Sequence, residues 1–212
     1  TPLALMQAQI ELFVSEHSGL QPETAELLGL LQEQTERMSR MTKVLLEISE
    51  LRSVPCEDDV ELGPLSEEVL TDLAPLAENK GIALDCTGDA LTIGSDTLLY
   101  RLVFNLVENA IHYSRSGSTV NVSISDSDSH VLLRVEDQGP GIPKQYRESI
   151  FQPFFRLDKS RSRAYGGAGL GLALVWEIAA LHGGTVEVEA SSENGTTILV
   201  SLPKRSAALT EQ

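Results

Sequence analysis

The stretch Asp137-Gln138-Gly139-Pro140-Gly141-Ile142-Pro143 decides how the chain is read. An alternating run, Val131 to Glu136, leads into it as a strand, and its glycines let the backbone turn tightly beside the acid. A carboxylate so placed is an acceptor without bulk around it, which suits the exocyclic amine of an adenine. Most G-x-G segments are simply turns, so the weight comes from the neighbours. Upstream stands Asn105-Leu106-Val107-Glu108-Asn109-Ala110; downstream stand Phe151-Gln152-Pro153-Phe154-Phe155-Arg156 and Gly166-Gly167-Ala168-Gly169-Leu170-Gly171-Leu172.

The upstream segment belongs to a helix from Ser95, its cap, to about Ser114. Asn105, Asn109 and His112 are spaced by four and three and share a face, whereas Phe104, Val107 and Ile111 point elsewhere as core. An amide oxygen on that polar stripe is a competent Mg²⁺ ligand, because Mg²⁺ takes few protein ligands while bridging phosphate oxygens. Downstream, Gly167, Gly169 and Gly171 precede a helix over Gly169 to His182, which places unpaired N–H groups and a positive dipole end where a triphosphate binds. Arg156, Lys159, Arg161 and Arg163 concentrate positive charge just before it and read as a nucleotide lid. A dinucleotide-binding fingerprint fits poorly, since these glycines follow a cationic loop instead of a strand.

Composition narrows the partners. The chain has 212 residues, 42% of them apolar, and a formal net charge of -15, which repels nucleic acid and anionic lipid and favours a small anion met by local cations. Cys56 and Cys86 lie far apart without a C-x-x-C spacing, so neither zinc nor a disulfide framework is expected and a reducing cytosol fits. No apolar run approaches the roughly 20 residues of a spanning helix, so any membrane attachment is expected through segments upstream of this chain.

At the front, Leu3, Met6, Ile10 and Phe13, then Leu27, Leu31, Met38, Met41, Leu45 and Ile48, follow a heptad-like rhythm. The break at Ser18-Gly19-Leu20-Gln21-Pro22 ends one helix and opens a longer one, an antiparallel hairpin. A polar acidic stretch around Val54-Pro55 stops the rhythm. Beyond it the elements read as a helix over Ser66–Asn79, strands over Ile82–Cys86 and Leu91–Ile93, the long helix, strands over Val120–Ser125 and Val131–Glu136, the second-glycine helix, and strands over Thr185–Glu189 and Thr197–Leu202. The expected architecture is α+β, a mixed, mostly antiparallel sheet covered on one face by helices. The expected organisation is a hairpin over 1–53, a linker over 54–62, a catalytic domain over 63–205 and a tail over 206–212.

Four motifs in this order resemble the N, G1, F and G2 boxes of bacterial two-component sensor histidine kinases, whose Bergerat-type ATP-binding fold is shared with Hsp90, gyrase and MutL. The resemblance covers nearly the whole chain. It implies ATP and Mg²⁺ as cofactors, with Asn109 as the metal ligand, Asn105 supporting phosphates or metal hydration, His112 directed at the phosphates and Tyr113 beside the adenine. Asp137, Gly139, Gly141 and Ile142 become the adenine side; Gly167, Gly169, Leu170 and Gly171 become the phosphate loop; Arg156 becomes a γ-phosphate contact that stabilises transfer. Thr1-Pro2-Leu3 resembles the end of the signature His-Glu-x-x-Thr-Pro-Leu, which places the phosphoacceptor histidine four residues before Thr1 and gives Thr1 the role of orienting water in dephosphorylating the partner. That partner is a response-regulator receiver domain, and the hairpin implies a homodimer. His17, at the hairpin turn, is a poor substitute acceptor.

Within the fold the resemblance separates kinase from ATPase. The Hsp90, gyrase and MutL group carries a water-activating glutamate four residues before the metal asparagine, where this chain has Asn105. Glu108 is about 100° away from Asn109 on an ideal helix and does not replace it. The alternatives are an anti-sigma-type serine kinase, which typically lacks a long helical hairpin in front, and a non-catalytic ATP-binding module.

Overall fold

A computed structural model describes residues 2–17, 21–51, 53–157 and 169–204. The chain divides into two compact units, 1–50 and 51–212. The first holds helix α1 (Pro2–Glu16) and most of helix α2 (Pro22–Leu51). The described apolar side chains of the expected heptad rhythm lie largely open, and those of Met41, Leu45 and Ile48 are outside the described ones. Helix α1 buries no residue, and Leu27, Leu31 and Met38 of the expected heptad are 57%, 47% and 54% exposed. Thr35 is buried instead, its hydroxyl donating to the Leu31 carbonyl at 2.6 Å.

The second unit opens with strand β1 (Asp58–Glu61), which pairs antiparallel with β3 (Leu91–Gly94) as a small separate sheet. Its only buried residue is Val60, so the segment expected as a linker carries a strand with almost no sequence pattern of its own. Helix α3 (Leu62–Lys80) starts four residues earlier than the pattern indicates. Its first N–H groups are satisfied from a distance: Leu62 donates to the Ala90 carbonyl at 3.1 Å and Gly63 to Asp89 Oδ1 at 2.7 Å. Pro64 sits in the first turn, where a missing N–H costs nothing. The helix ends at Gly81, which adopts φ +66 and closes it in a left-handed cap.

The main sheet has five strands in the order β2-β4-β5-β7-β6. These are β2 (Ala83–Thr87), β4 (Thr119–Asp126), β5 (His130–Asp137), β7 (Gly195–Pro203) and β6 (Thr185–Ser192). Only β2 and β4 run parallel. Period-2 alternation buries Val120, Val122 and Ile124 on β4, Val131, Leu133 and Val135 on β5, and Ile198, Val200 and Leu202 on β7. Helices α3, α4 (Asp96–Tyr113) and α5 (Gly171–Leu181) contribute the facing residues, among them Val69, Leu102, Val103, Leu106, Val107 and Ile178. This is the α+β sandwich with a mixed, mostly antiparallel sheet. No helix among the described residues is long and apolar enough to cross a membrane.

Helix α4 is fixed at both ends. Ser95 caps it by accepting the Leu98 N–H at 3.5 Å. His182, buried at the end of α5, accepts the Ser95 N–H on Nε2 at 3.0 Å while Nδ1 faces the Ile178 carbonyl at 2.7 Å. At the other end Lys80 reaches over from α3 and donates Nζ to the carbonyls of Ile111 at 2.8 Å and His112 at 2.5 Å. Phe104 is half-buried, not core; it stacks on Tyr100 with centroids 6.1 Å apart, because the face turned to the sheet is carried by Leu102, Val103, Leu106 and Val107.

Candidate nucleotide site

Three segments distant in sequence meet along one side of α4. Asn105 and Asn109 are half-buried, one turn apart, and Gly171, the first residue of α5, lies directly against them. A Cβ on Gly171 would stand 2.9 Å from Asn105 Oδ1 and 3.0 Å from Asn109 Nδ2. Asn105 donates Nδ2 to the Arg101 carbonyl at 2.7 Å, which turns its oxygen toward α5. The start of α5 has no side-chain cap: Leu170 occupies the cap position with no side-chain bond, and the first turn contains no acid. Among the described residues no side chain caps this helix start, whose first N–H groups and positive dipole end lie beside the two amides.

The glycine turn after β5 closes on the last residue of α4. Gly139 donates its N–H to Asp137 Oδ1 at 2.7 Å, and a Cβ there would stand 2.8 Å from both that oxygen and the Tyr113 carbonyl. Glycine is required by this approach. Gly141 adopts φ +76 and packs on the Ser192 carbonyl so closely that no Cβ fits. Asp137 also accepts the Thr196 backbone N–H from the paired strand; burial nevertheless raises its carboxyl above the usual range, the two N–H donors opposing the shift. Ile142 donates its N–H to Ser191 Oγ at 2.7 Å.

The third segment is the approach to α5. Phe154 has φ +66, a conformation costly for a side chain with a Cβ, and donates its N–H to the Gly169 carbonyl at 2.8 Å. A Cβ on Gly169, itself at φ +70, would stand 3.1 Å from the Phe155 carbonyl and 3.2 Å from Arg156 Cγ. Phe155 packs on Tyr146 with centroids 5.7 Å apart. Gly169 therefore sits against Phe154, Phe155 and half-buried Arg156.

The geometry thus brings together Asn105, Asn109, Gly171 and Leu170 in one place, Asp137, Gly139, Gly141 and Ile142 in a second, and Gly169 with Arg156 in a third. Tyr113 links the first two through its backbone, but its side chain is 60% exposed. His112 is half-buried, and its carbonyl is held by Lys80. Thr1, Gly19, Lys159, Arg161, Arg163, Gly166, Gly167 and Ala168 lie outside the described residues. Sequence reading missed Lys80, Arg147, Ser191 and Thr196, whose hydrogen bonds hold the site's elements. Only Thr196 had a local signal, the turn Asn194-Gly195-Thr196 opposite Asp137.

Among the described residues no group of three or more His, Cys, Asp or Glu could hold a metal ion. Asn109 presents Nδ2 to Gly171, leaving Oδ1 as the outer atom, which suits a hard cation that keeps most of its shell as phosphate and water.

Comparison with known proteins identifies the family. The sequence family described as histidine kinase-, DNA gyrase B- and HSP90-like ATPase matches residues 94–206. Sensor histidine kinase RppB of Synechocystis is 33% identical over 211 residues, covering 96% of this chain and 46% of that protein. The sensor-like histidine kinase SenX3 of Mycolicibacterium smegmatis is 34% identical over 212 residues, covering 96% of this chain and 54% of that one. The chain therefore spans about half the length of these relatives. Among solved structures, the mycobacterial sensor histidine kinase MprB superposes with a TM-score of 0.62 at 32% identity, over 70% of this chain and 98% of that one.

Proposed function

Because the chain belongs to the histidine kinase-, DNA gyrase B- and HSP90-like ATPase family, within which its relatives are sensor histidine kinases, we propose that residues 51–212 bind Mg·ATP and present its γ-phosphate to a histidine. The observation that carries this reading is the wedge of Gly171 between Asn105 and Asn109, which sets an uncapped helix start against a metal-competent amide. Adenine binds at Asp137, whose carboxylate accepts the exocyclic amine, with Gly139, Gly141, Ile142 and Tyr113 around it. Phosphates lie over Gly169, Leu170 and Gly171, with Gly167 and His112 beside them. Asn109 would hold Mg²⁺, which when bound would offset the charge of the phosphates.

Asn105 supplies no base for water. An amide cannot take a proton from water at neutral pH, so bound ATP waits for a nucleophile brought by the rest of the protein. The imidazole nitrogen forms its bond to the γ-phosphorus as the bond to the bridging oxygen breaks, and ADP leaves. Arg156 lies where a guanidinium spreads the charge on the transferring group. The acceptor is a histidine ahead of Thr1, by the likeness of Thr1-Pro2-Leu3 to the kinase signature; a response-regulator aspartate then receives the phosphate, and Thr1 orients the water that hydrolyses it from that partner. The open apolar faces of α1 and α2 are covered by a second copy. The catalytic unit works on the cytoplasmic side of a bacterial membrane, to which the parent is attached by other segments.

The test incubates the full-length parent with γ-labelled ATP and Mg²⁺. Acid-labile, base-stable label, lost in Asn109→Ala, is the expected result. Acid-stable label identifies a serine kinase, and binding without label a regulatory module; either overturns the reading.

A further inference from the structure

The loop 137–142 is held at both ends by one hairpin, β6–β7. At its start Asp137 accepts the Thr196 N–H. At its far end Ile142 donates to Ser191 Oγ at 2.7 Å, and that hydroxyl lies 3.1 Å from Oγ1 of buried Thr196. Arg147 closes the arrangement. It follows the 3₁₀ turn Lys144–Tyr146, and its guanidinium donates Nη2 to the Ser191 carbonyl at 2.8 Å and Nε to the Ile142 carbonyl at 3.4 Å. A rigid fork of donors can bridge two carbonyls on separate segments; an ammonium on a flexible stem bridges them less well. Arg147 also lines an open groove of about 330 Å³ with Phe151, Trp176 and Val188.

We propose that Arg147 and Ser191 are positioning residues for adenine recognition. Together they pin Ile142 to the hairpin that also orients Asp137, so that the base-facing turn keeps one width before nucleotide arrives. Neither residue touches the nucleotide. Their effect falls on the base end of the ligand, equally for ATP and ADP, whereas Arg156 and Gly171 act on the phosphates. The inference rests on the Mg·ATP reading of the site.

The experiment titrates Mg·ATP and Mg·ADP into the wild-type chain, Arg147→Ala, Arg147→Lys and Ser191→Ala, and records each protein's melting midpoint without nucleotide. Arg147→Ala and Ser191→Ala are expected to weaken both nucleotides alike by about tenfold, with the ATP-to-ADP ratio unchanged. Arg147→Lys recovers part of the loss, and the midpoints without nucleotide stay close to wild type. Affinities within about twofold of wild type overturn the proposal, as does a loss confined to ATP or one that follows a matching drop in melting midpoint. A wild-type chain that binds neither nucleotide overturns the Mg·ATP reading itself and this proposal with it, a result the wild-type titration separates from the others.

Discussion

Asp137 sits at the end of β5 with its carboxyl raised by burial, so the unfolded chain releases that proton more readily than the folded one. A raised folded pKa gives stability that is complete below the ordinary value of 3.8 and lost as pH rises through the folded one. Ionising Asp137 therefore costs the folded chain stability, and a bound amine would offset that cost. Asp137→Asn keeps an acceptor for the Gly139 N–H and removes the charge. It is expected to raise the melting midpoint at neutral pH, to lose that advantage in acid, and to abolish ATP binding; calorimetry at two pH values checks all three. His182 works in the opposite direction. Burial lowers its pKa below the ordinary 6.5, the Ile178 carbonyl opposing, and a proton on Nε2 would remove the acceptor for Ser95 N–H. Its contribution is present above 6.5 and lost as pH falls through the folded value. Wild type should lose more denaturant resistance between about pH 8 and about pH 5 than His182→Gln does. Asp137 was legible from its glycines. His182 was not, because what makes it matter is a backbone N–H 87 residues away.

Elements meet at the site through backbone closeness more than through side-chain pairs. Gly171→Ala would push a methyl into Asn105 and Asn109, whose side chains can swing away at little cost to folding. The expected outcome is a stable protein with ATP affinity lowered about tenfold or more, measured by titration beside its melting curve. Lys80 satisfies two terminal carbonyls of α4, and Lys80→Met is expected to destabilise by about 1–2 kcal/mol in urea unfolding. The long periodic elements α4, β4, β5 and β7 were readable, since their apolar periods agree with what they bury. Strand β1 was not, because four residues with one buried valine carry no period. The start of α3 was misplaced because Asp89 and Ala90, far along the chain, supply its cap. The exposure of Leu27, Leu31 and Met38 on α2 was hidden for another reason: a heptad pattern gives a face, not what covers it.

At the scale of the whole molecule, the chain comprises the unit proposed to bind Mg·ATP and a helical unit in which Leu27, Leu31 and Met38 are exposed. Leu31→Glu puts a charge on that face and is expected to lower the dimer fraction in sedimentation while leaving ATP affinity in the other unit unchanged. The central claim is that Asn109 and Asp137 together make a Mg·ATP site. Calorimetric titration of ATP into the wild-type chain, with and without Mg²⁺, tests it most directly when repeated on Asn109→Ala. The account predicts saturable binding that Mg²⁺ strengthens in wild type and no longer strengthens in the variant. Binding of equal strength in both proteins, or a wild type that takes up no ATP, would contradict it.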